Sequence, residues 1–172
     1  MYSNGQGVTQ DYKAAVKWYT LAAEQEDAKA QNNLGWMYDY GQGVTQDYKA
    51  AVKWYTLAAE QGHVDAQYNL GLMYANGQGV TQDYNAAVKW YKLSAEQGDV
   101  YAQTNLGLMY SKGEGVTQDY TLAYMWSNIA ALGGNEIAME NRDIYAKSMS
   151  YLQVEQARTL AEVCVSNKYK NC

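Results

Sequence analysis

Few residues in this sequence have side chains that could perform chemistry. Cys164 and Cys172 are the two cysteines, with seven residues between them, and His63 is the single histidine. We favour an intrachain disulfide, which would hold the C-terminal tail and requires an oxidising compartment. The alternative is two free thiols in a reducing cytosol. One histidine leaves little basis for a zinc site or for a Ser-His-Asp or Cys-His arrangement, so no metal or catalytic site is predicted.

Four aspartates recur at an interval of 36 residues: Asp11, Asp47, Asp83 and Asp119. Paired carboxylates can carry out acid–base catalysis, but each aspartate stands just before an amphipathic segment, where a helix needs an N-cap. The Gly-x-Gly stretches before them could suggest a phosphate cradle, yet the helix start that follows carries an aspartate and no lysine. We therefore predict capping aspartates, no cofactor and no enzymatic activity.

The elements that position these residues form a repeat. The stretch Gly-Gln-Gly-Val-Thr-Gln-Asp-Tyr begins at Gly5, Gly41 and Gly77, and a copy with Glu at its second position begins at Gly113. A fixed period of this size is typical of solenoids. The sequence predicts an all-α solenoid of 36-residue helix-turn-helix repeats, an α-α superhelix, in which glycines suit the tight turn between the two helices.

The repeat pattern also predicts the organisation of the chain. Residues 1–147 form the array, with a truncated first repeat and a degenerate last one, and residues 148–172 form a capping helix and a disulfide tail. Met1-Tyr2 matches the later Met-Tyr pairs in register, so the chain is expected to be a fragment. Arg142 and Asp143 replace the Leu and Gly of earlier repeats, as expected on the polar outer surface of a terminal repeat. Ser150 and Gln153 predict a capping box.

Composition narrows the classes of function. The net charge is −5 and the pI is about 4.8, which argues against a nucleic-acid surface. No apolar run approaches the ~18 residues of a membrane span. Most tyrosines and tryptophans recur with the period, and Trp18, Trp54, Trp90 and Trp126 are predicted to form one packing column. Trp36 falls outside it.

A run of residues in the third copy resembles the Sel1-like repeat, a relative of the tetratricopeptide repeat. The matching residues are Ala66-Gln67-Tyr68-Asn69-Leu70-Gly71-Leu72-Met73-Tyr74, Gly77-Gln78-Gly79-Val80, Asp83, Ala86-Ala87, Trp90-Tyr91, Ala95 and Gly98. The resemblance covers about Met1 to Ala146. It implies antiparallel helix pairs in a right-handed superhelix, used mostly as protein-interaction scaffolds. Secreted, cysteine-rich members use the Cys-x7-Cys spacing, which supports a periplasmic or secreted location.

On their first helices, the copies differ at five positions, at offsets 0, 3, 7, 10 and 11. These offsets describe one helix face that stacking does not require. By the resemblance, this face lines a concave groove. The residues predicted to bind a partner are Lys29, Asn32, Trp36, Tyr40, Asp65, Tyr68, Leu72, Asn76, Tyr101, Thr104, Leu108 and Lys112; the varying column at offset 10 is Asp39, Ala75 and Ser111.

The predicted function is that of an adaptor that binds a peptide or partner protein in this groove. The contrary interpretation is drift, in which exposed positions vary because nothing constrains them. A second class is a secreted β-lactamase-like or cell-wall-related hydrolase, since some secreted relatives are described as β-lactamases, but no serine here begins a Ser-x-x-Lys motif. A third is self-assembly through the open N-terminal end of the array.

Overall fold

A computed structural model describes residues 11–170 and 172, and in these residues nine helices and no strands are found. The helices are α1 Tyr12–Ala23, α2 Ala28–Tyr40, α3 Tyr48–Glu60, α4 Val64–Asn76, α5 Tyr84–Ala95, α6 Val100–Lys112, α7 Tyr120–Leu132, α8 Glu136–Ala146 and α9 Tyr151–Ser166. The predicted all-α class is confirmed. The start of the predicted truncated first repeat, residues 1–10, lies outside the described residues.

Side-chain caps set the N-terminus of every one of these helices. Asp47 Oδ1 accepts hydrogen bonds from the backbone N–H groups of Lys49 at 2.9 Å and Ala50 at 3.1 Å. Such bonds satisfy N–H groups that have no partner inside a helix. The other three recurring aspartates cap α1, α5 and α7 in the same way. The capping box of Ser150 and Gln153 is also present. The predicted capping roles are confirmed.

The Gly-x-Gly turn depends on both of its glycines. Gly41 ends α2 at φ +66°, and Gly43 has φ +76°. A Cβ on Gly43 would overlap the backbone carbonyl oxygen of Tyr12 and would lie 2.9 Å from the backbone nitrogen of Lys13. The turn therefore crosses the start of α1 at a distance that only glycine permits.

Contacts among the helices divide the chain into two compact units, and the first ends at Gln82. In it, consecutive helices from α1 to α4 pack on one another. One core cluster consists of Ala23, Ala30 and Leu34, with Trp54 packed against it. A Cβ on Gly35 would lie 2.7 Å from the buried ring of Tyr55. Glycine at this register therefore allows α2 and α3 to approach closely.

The second unit begins at Asp83 and contains α5 to α9. Its central helix is α7, which packs against α6, α8 and α9 and buries Trp126. Ser127 occupies the register of Tyr55 and Tyr91, and a Cβ on Gly107 would lie 2.7 Å from its Oγ. The shorter side chain leaves room for α6 and α7 to approach closely.

The tryptophan column is less uniform than predicted. Trp126 is 1% exposed because three helices surround α7, whereas Trp54 is half-buried and Trp18 is 57% exposed. Among the described residues, α1 packs mainly against α2. The prediction of a packing role is therefore wrong for Trp18 within this part of the chain.

The last helix pair carries both polar and apolar surface. Arg142 and Asp143 form an ion pair of 2.8 Å at the surface, as expected for a terminal repeat. Ile137, Ile144 and Leu152 are nevertheless 64%, 55% and 66% exposed. The expectation of a polar outer surface is therefore wrong for these three positions.

The tail after α9 folds back onto the second unit. Cys164 and Cys172 form the predicted disulfide. Between them, Tyr169 donates its backbone N–H to the Cys164 carbonyl at 2.8 Å. The Tyr169 ring also lies over the turn at Gly98, where a Cβ would come within 3.3 Å of it. Within the described residues, no helix is long and apolar enough to cross a membrane.

Candidate ligand-binding face

An exposed aromatic pair marks the C-terminal half of α2. Trp36 and Tyr40 are one helical turn apart, and their ring centroids are 5.0 Å apart with an interplanar angle of 31°. Trp36 is 39% exposed and Tyr40 is 60% exposed. Aromatic side chains bury a large area with few rotatable bonds, so such a pair is well suited to hold a ligand.

A cavity of about 240 Å³ opens beside Tyr40 in the first unit. It lies between the end of α2, the turn that leads into α3, and α4. Three predicted residues line it, Tyr40, Leu72 and Asn76. The other lining residues are Asp39, Gln46, Tyr48, Asn69, Met73 and Gln78. The volume is below the ~300–1,000 Å³ of pockets for drug-sized ligands, so the cavity suits one side chain rather than a whole small molecule.

Asp39 is the one charged side chain in the described lining of this cavity. Its carboxylate is half-buried, and its hydrogen bond is a long one from the Tyr55 hydroxyl to Oδ2, at 3.4 Å. Burial raises the pKa of Asp39 above its ordinary value, and the Tyr55 hydrogen bond opposes the increase. The pKa of Tyr55 is raised as well, first by burial and then by the negative charge of Asp39.

Three amide groups around the cavity each use at least one N–H donor within the protein. Gln46 Nε2 donates to the Asp39 backbone carbonyl at 2.7 Å. Asn69 Nδ2 donates to Asn32 Oδ1 at 3.2 Å, and Asn76 Nδ2 donates to Gln78 Oε1 at 3.5 Å. These bonds leave the amide oxygens of Gln46, Asn69 and Asn76 as acceptors. Together with the Asp39 carboxylate, they make the lining rich in acceptors.

The other predicted partner-binding residues of the first unit differ in exposure. Lys29 and Asp65 are exposed, and Tyr68 is half-buried. Asn32 is only 7% exposed and orients Asn69 through the hydrogen bond described above. Asn32 thus supports the cavity from beneath instead of presenting its side chain to a ligand.

In the second unit, Tyr101 is 63% exposed and Leu108 is half-buried. Lys112 is exposed and lies 3.8 Å from a Glu114 carboxylate oxygen. Thr104 is 7% exposed, and its hydroxyl donates to the Val100 carbonyl at 2.8 Å, so it is used within α6.

Sequence reasoning left several cavity residues out of the predicted set. Asp39 carried a signal, since its column varies among the copies as Asp39, Ala75 and Ser111. Asn69 and Gln46 carried none, because the same residue types recur at their registers in the other copies. Their contribution depends on which N–H groups are already bonded, and this becomes visible only when α2 and α4 lie together.

Helix pairs that recur every 36 residues, each with a Gly-x-Gly turn after its first helix, define an α-solenoid repeat protein. A family model described as the Sel1 repeat matches residues 1–27, 28–63, 64–99 and 100–135. The chain belongs to the Sel1 repeat family, whose members generally serve as scaffolds for protein–protein interactions. We found no significant match among curated proteins.

Solved structures show the same architecture. A protective antigen of uropathogenic Escherichia coli, c5321, which displays an SLR fold, is 37% identical with a TM-score of 0.90, over 98% of this chain and 37% of that one. A Sel1 repeat protein from Oxalobacter formigenes is 40% identical with a TM-score of 0.75, over 80% of this chain and 56% of that one. Helicobacter pylori cysteine rich protein B is 23% identical with a TM-score of 0.60, over 76% of this chain and 94% of that one, and supports the fold alone. This chain spans between about a third and just over half of the first two relatives.

Proposed function

We propose that this chain is a non-enzymatic scaffold that binds a peptide or a protein segment on the variable face of its first helices. The observation that carries the proposal is the exposed Trp36–Tyr40 pair beside a cavity lined by Tyr40, Leu72 and Asn76. Aromatic anchors next to a small pocket are typical of interface hot spots. Family membership supports the same class of function.

The hydrolase alternative has little support at this site. The described lining of the cavity contains neither serine, cysteine nor histidine, and it carries the single carboxylate of Asp39. Nucleophilic catalysis needs a nucleophile beside a base, and glycoside hydrolysis needs a pair of carboxyl groups. A scaffold role requires none of these groups.

The test is selection of peptides from a displayed random library on the immobilised chain. Affinities of the selected peptides are then measured for the wild type and for Trp36→Ala/Tyr40→Ala. The matched control is Leu57→Ala/Leu93→Ala, which removes apolar area that is 38% and 37% exposed on α3 and α5.

We expect the aromatic double variant to lose about tenfold or more in affinity, as loss of a hot spot does. The control should stay within about twofold, and circular dichroism should show equal helicity for all three proteins. Equal affinity of wild type and aromatic variant would rule out this face as the binding surface.

We also propose that the chain works in an oxidising compartment, because its two cysteines are paired. Intact mass after alkylation without reductant tests the pairing in protein isolated from its native cells. No added label is expected; two added labels would contradict the pairing and the location together.

Self-association is a second candidate, favoured by apolar side chains left exposed on α1. Trp18 is 57% exposed and Leu21 is 44% exposed. Sedimentation velocity over a range of micromolar concentrations distinguishes a self-associating chain from a monomeric scaffold. A reversible dimer lost in Trp18→Ala/Leu21→Ala supports self-association, and a monomer throughout excludes it.

A further inference from the structure

The residues that line the cavity beside Tyr40 determine which chemical groups of a ligand it can bind. Its lining combines the Asp39 carboxylate with the amide oxygens of Gln46, Asn69 and Asn76, and each of these amides has an N–H group bonded within the protein. The one charge in the described lining is negative, so a ligand that donates hydrogen bonds and carries a positive charge complements it.

We propose that this cavity binds an arginine side chain of the partner peptide, with the guanidinium group against Asp39 and the amide oxygens. The inference rests on the proposed function and specifies the partner as a peptide with an exposed arginine.

Charge balance supports a cationic occupant. Asp39 is the only charged residue among the described residues that line the cavity, and the long Tyr55 hydrogen bond of 3.4 Å is a weak partner for it. A half-buried carboxylate loses part of its hydration, and burial accordingly raises the pKa of Asp39. A bound cation would replace the lost hydration with a charge-assisted hydrogen bond.

Shape favours arginine over lysine. A guanidinium is planar, has five N–H donors and stacks on aromatic faces, whereas an ammonium is a compact, strongly hydrated charge. Tyr40 forms one wall of the cavity and offers an aromatic surface to the planar group, and its ring contacts that of Trp36 at an angle of 31°. Leu72 and Met73 provide apolar surface for the methylene stem.

The carboxylate at the register of Asp39 is specific to this copy of the repeat. The same register carries Ala75 in the next copy and Ser111 in the one after. Ser111 is buried and donates its hydroxyl to the Leu108 carbonyl at 2.7 Å. The repeat therefore folds without a carboxylate at this register, and the charge of Asp39 is not required for the helix pair.

The test is an NMR titration of the intact chain with Nα-acetyl-arginine methylamide. The comparison probes are the citrulline analogue, which is neutral but similar in shape, the lysine analogue, and the neutral disaccharide maltose. The protein variants are Asp39→Asn and Asp39→Ala, of which the second places the residue of the next copy at this register. Glu60→Gln is the control, because it removes the same charge from an exposed position on α3, outside the variable face.

We expect the arginine probe to shift the side-chain amide signals of Asn69 and Asn76. Citrulline should bind about tenfold or more weakly, and both Asp39 variants should weaken arginine by a similar factor, as loss of a charged hydrogen-bond partner does. Glu60→Gln should stay within about twofold of the wild type. The lysine analogue should bind more weakly than arginine.

Three outcomes would overturn the inference: equal binding of citrulline and arginine, no effect of either Asp39 variant, or maltose occupying the cavity with an affinity that Asp39→Asn leaves unchanged. Peptides selected by display separate this failure from that of the proposed function. If they need Trp36 and Tyr40 but tolerate Asp39→Asn and lack arginine, the scaffold role stands and the arginine site does not.

Discussion

Single side chains determine what this face can bind, and Asp39 is the clearest case. Its carboxylate is more costly to ionise in the folded chain than in water, because burial raises its pKa. The ionised carboxylate of this residue therefore lowers stability while it favours binding of a cation. Neutralising Asp39 should remove a destabilising charge while it weakens binding of a cation.

The stability effect of Asp39 should depend on pH in a defined direction. A folded-state pKa above the ordinary value of 3.8 means that the penalty is absent at lower pH and grows as pH rises through the folded pKa. Asp39→Asn should therefore be more stable than the wild type at pH 7, and the difference should shrink towards zero on acidification. Thermal unfolding at a series of pH values measures this. An Asp39→Asn protein that is less stable than the wild type at pH 7 would contradict the argument; Asp65→Asn is the control for loss of charge.

Ser127 differs from Asp39 in that it is a buried polar residue with no proposed role in binding. It is fully buried, and its Oγ has no hydrogen-bond partner among the described residues. We expect Ser127→Ala to stabilise the second unit by about 1 kcal/mol, because an unsatisfied buried hydroxyl is costly. Ser111→Ala is the control, since Ser111 is also buried but its hydroxyl is bonded. Denaturant unfolding should show a gain for Ser127→Ala alone; a loss of stability there would show that its hydroxyl has a partner.

At the scale of the element, a turn between helices can require glycine for two reasons. One is a positive φ, and the other is close contact with another backbone segment. Gly43 and Gly62 both have positive φ, +76° and +86°. Only Gly43 lies against another backbone segment, since a Cβ on Gly62 would meet nothing within 4 Å. Glu26 occupies the register of Gly62 in the previous copy and adopts φ +65°, so that register accepts a side chain.

Alanine at these two glycines should therefore have unequal effects. Both changes place a residue with a Cβ in the left-handed region, at about 1–2 kcal/mol. Gly43→Ala adds a steric clash with the Tyr12 carbonyl, which overpacking data put at about 1–3 kcal/mol more. Denaturant unfolding with matched slopes measures both variants. Equal losses would mean that the turn moves away from α1 without cost.

The sequence predicted the helices well because their signals are local. A period of 36, a capping aspartate and a pair of turn glycines each specify backbone conformation within a few residues. The burial of side chains was harder to predict. Asn32 and Thr104 lie on the varying face, yet both are buried, and their polar groups are bonded within the protein, Asn32 to Asn69 of α4 and Thr104 to its own helix.

The candidate site was predictable only in part for the same reason. Tyr40, Leu72 and Asn76 stood out by their variation, and the structure places them around one cavity. The acceptor-rich lining could not be predicted, since it follows from which amide nitrogens are bonded across the turn and between helices. Comparison of the copies identifies residues that differ. A residue that the copies share, such as Asn69, can still contribute to ligand binding at one site.

At the scale of the whole molecule, net charge adds a second means of selecting a partner. The chain carries −5 at neutral pH, with 18 acidic residues against 13 basic ones. Such a charge attracts cationic ligands over distances near the Debye length, about 10 Å at 0.1 M salt, and acts mainly on the rate of association. A partner peptide with an arginine thus agrees with the molecule's overall charge as well as with the cavity.

The long-range attraction from net charge and the local contact with Asp39 should affect different rate constants of binding. For a peptide with one arginine, we expect association to slow as salt is raised, because screening weakens long-range attraction. Glu60→Gln, on the exposed surface of α3, should lower the association rate slightly and leave dissociation unchanged. Asp39→Asn should mainly speed dissociation, because it removes a contact made only in the complex. Surface plasmon resonance at several salt concentrations measures both rates, with the citrulline peptide as the neutral reference. If Asp39→Asn changed association alone, its carboxylate would act as one more surface charge and the cavity would not hold the arginine.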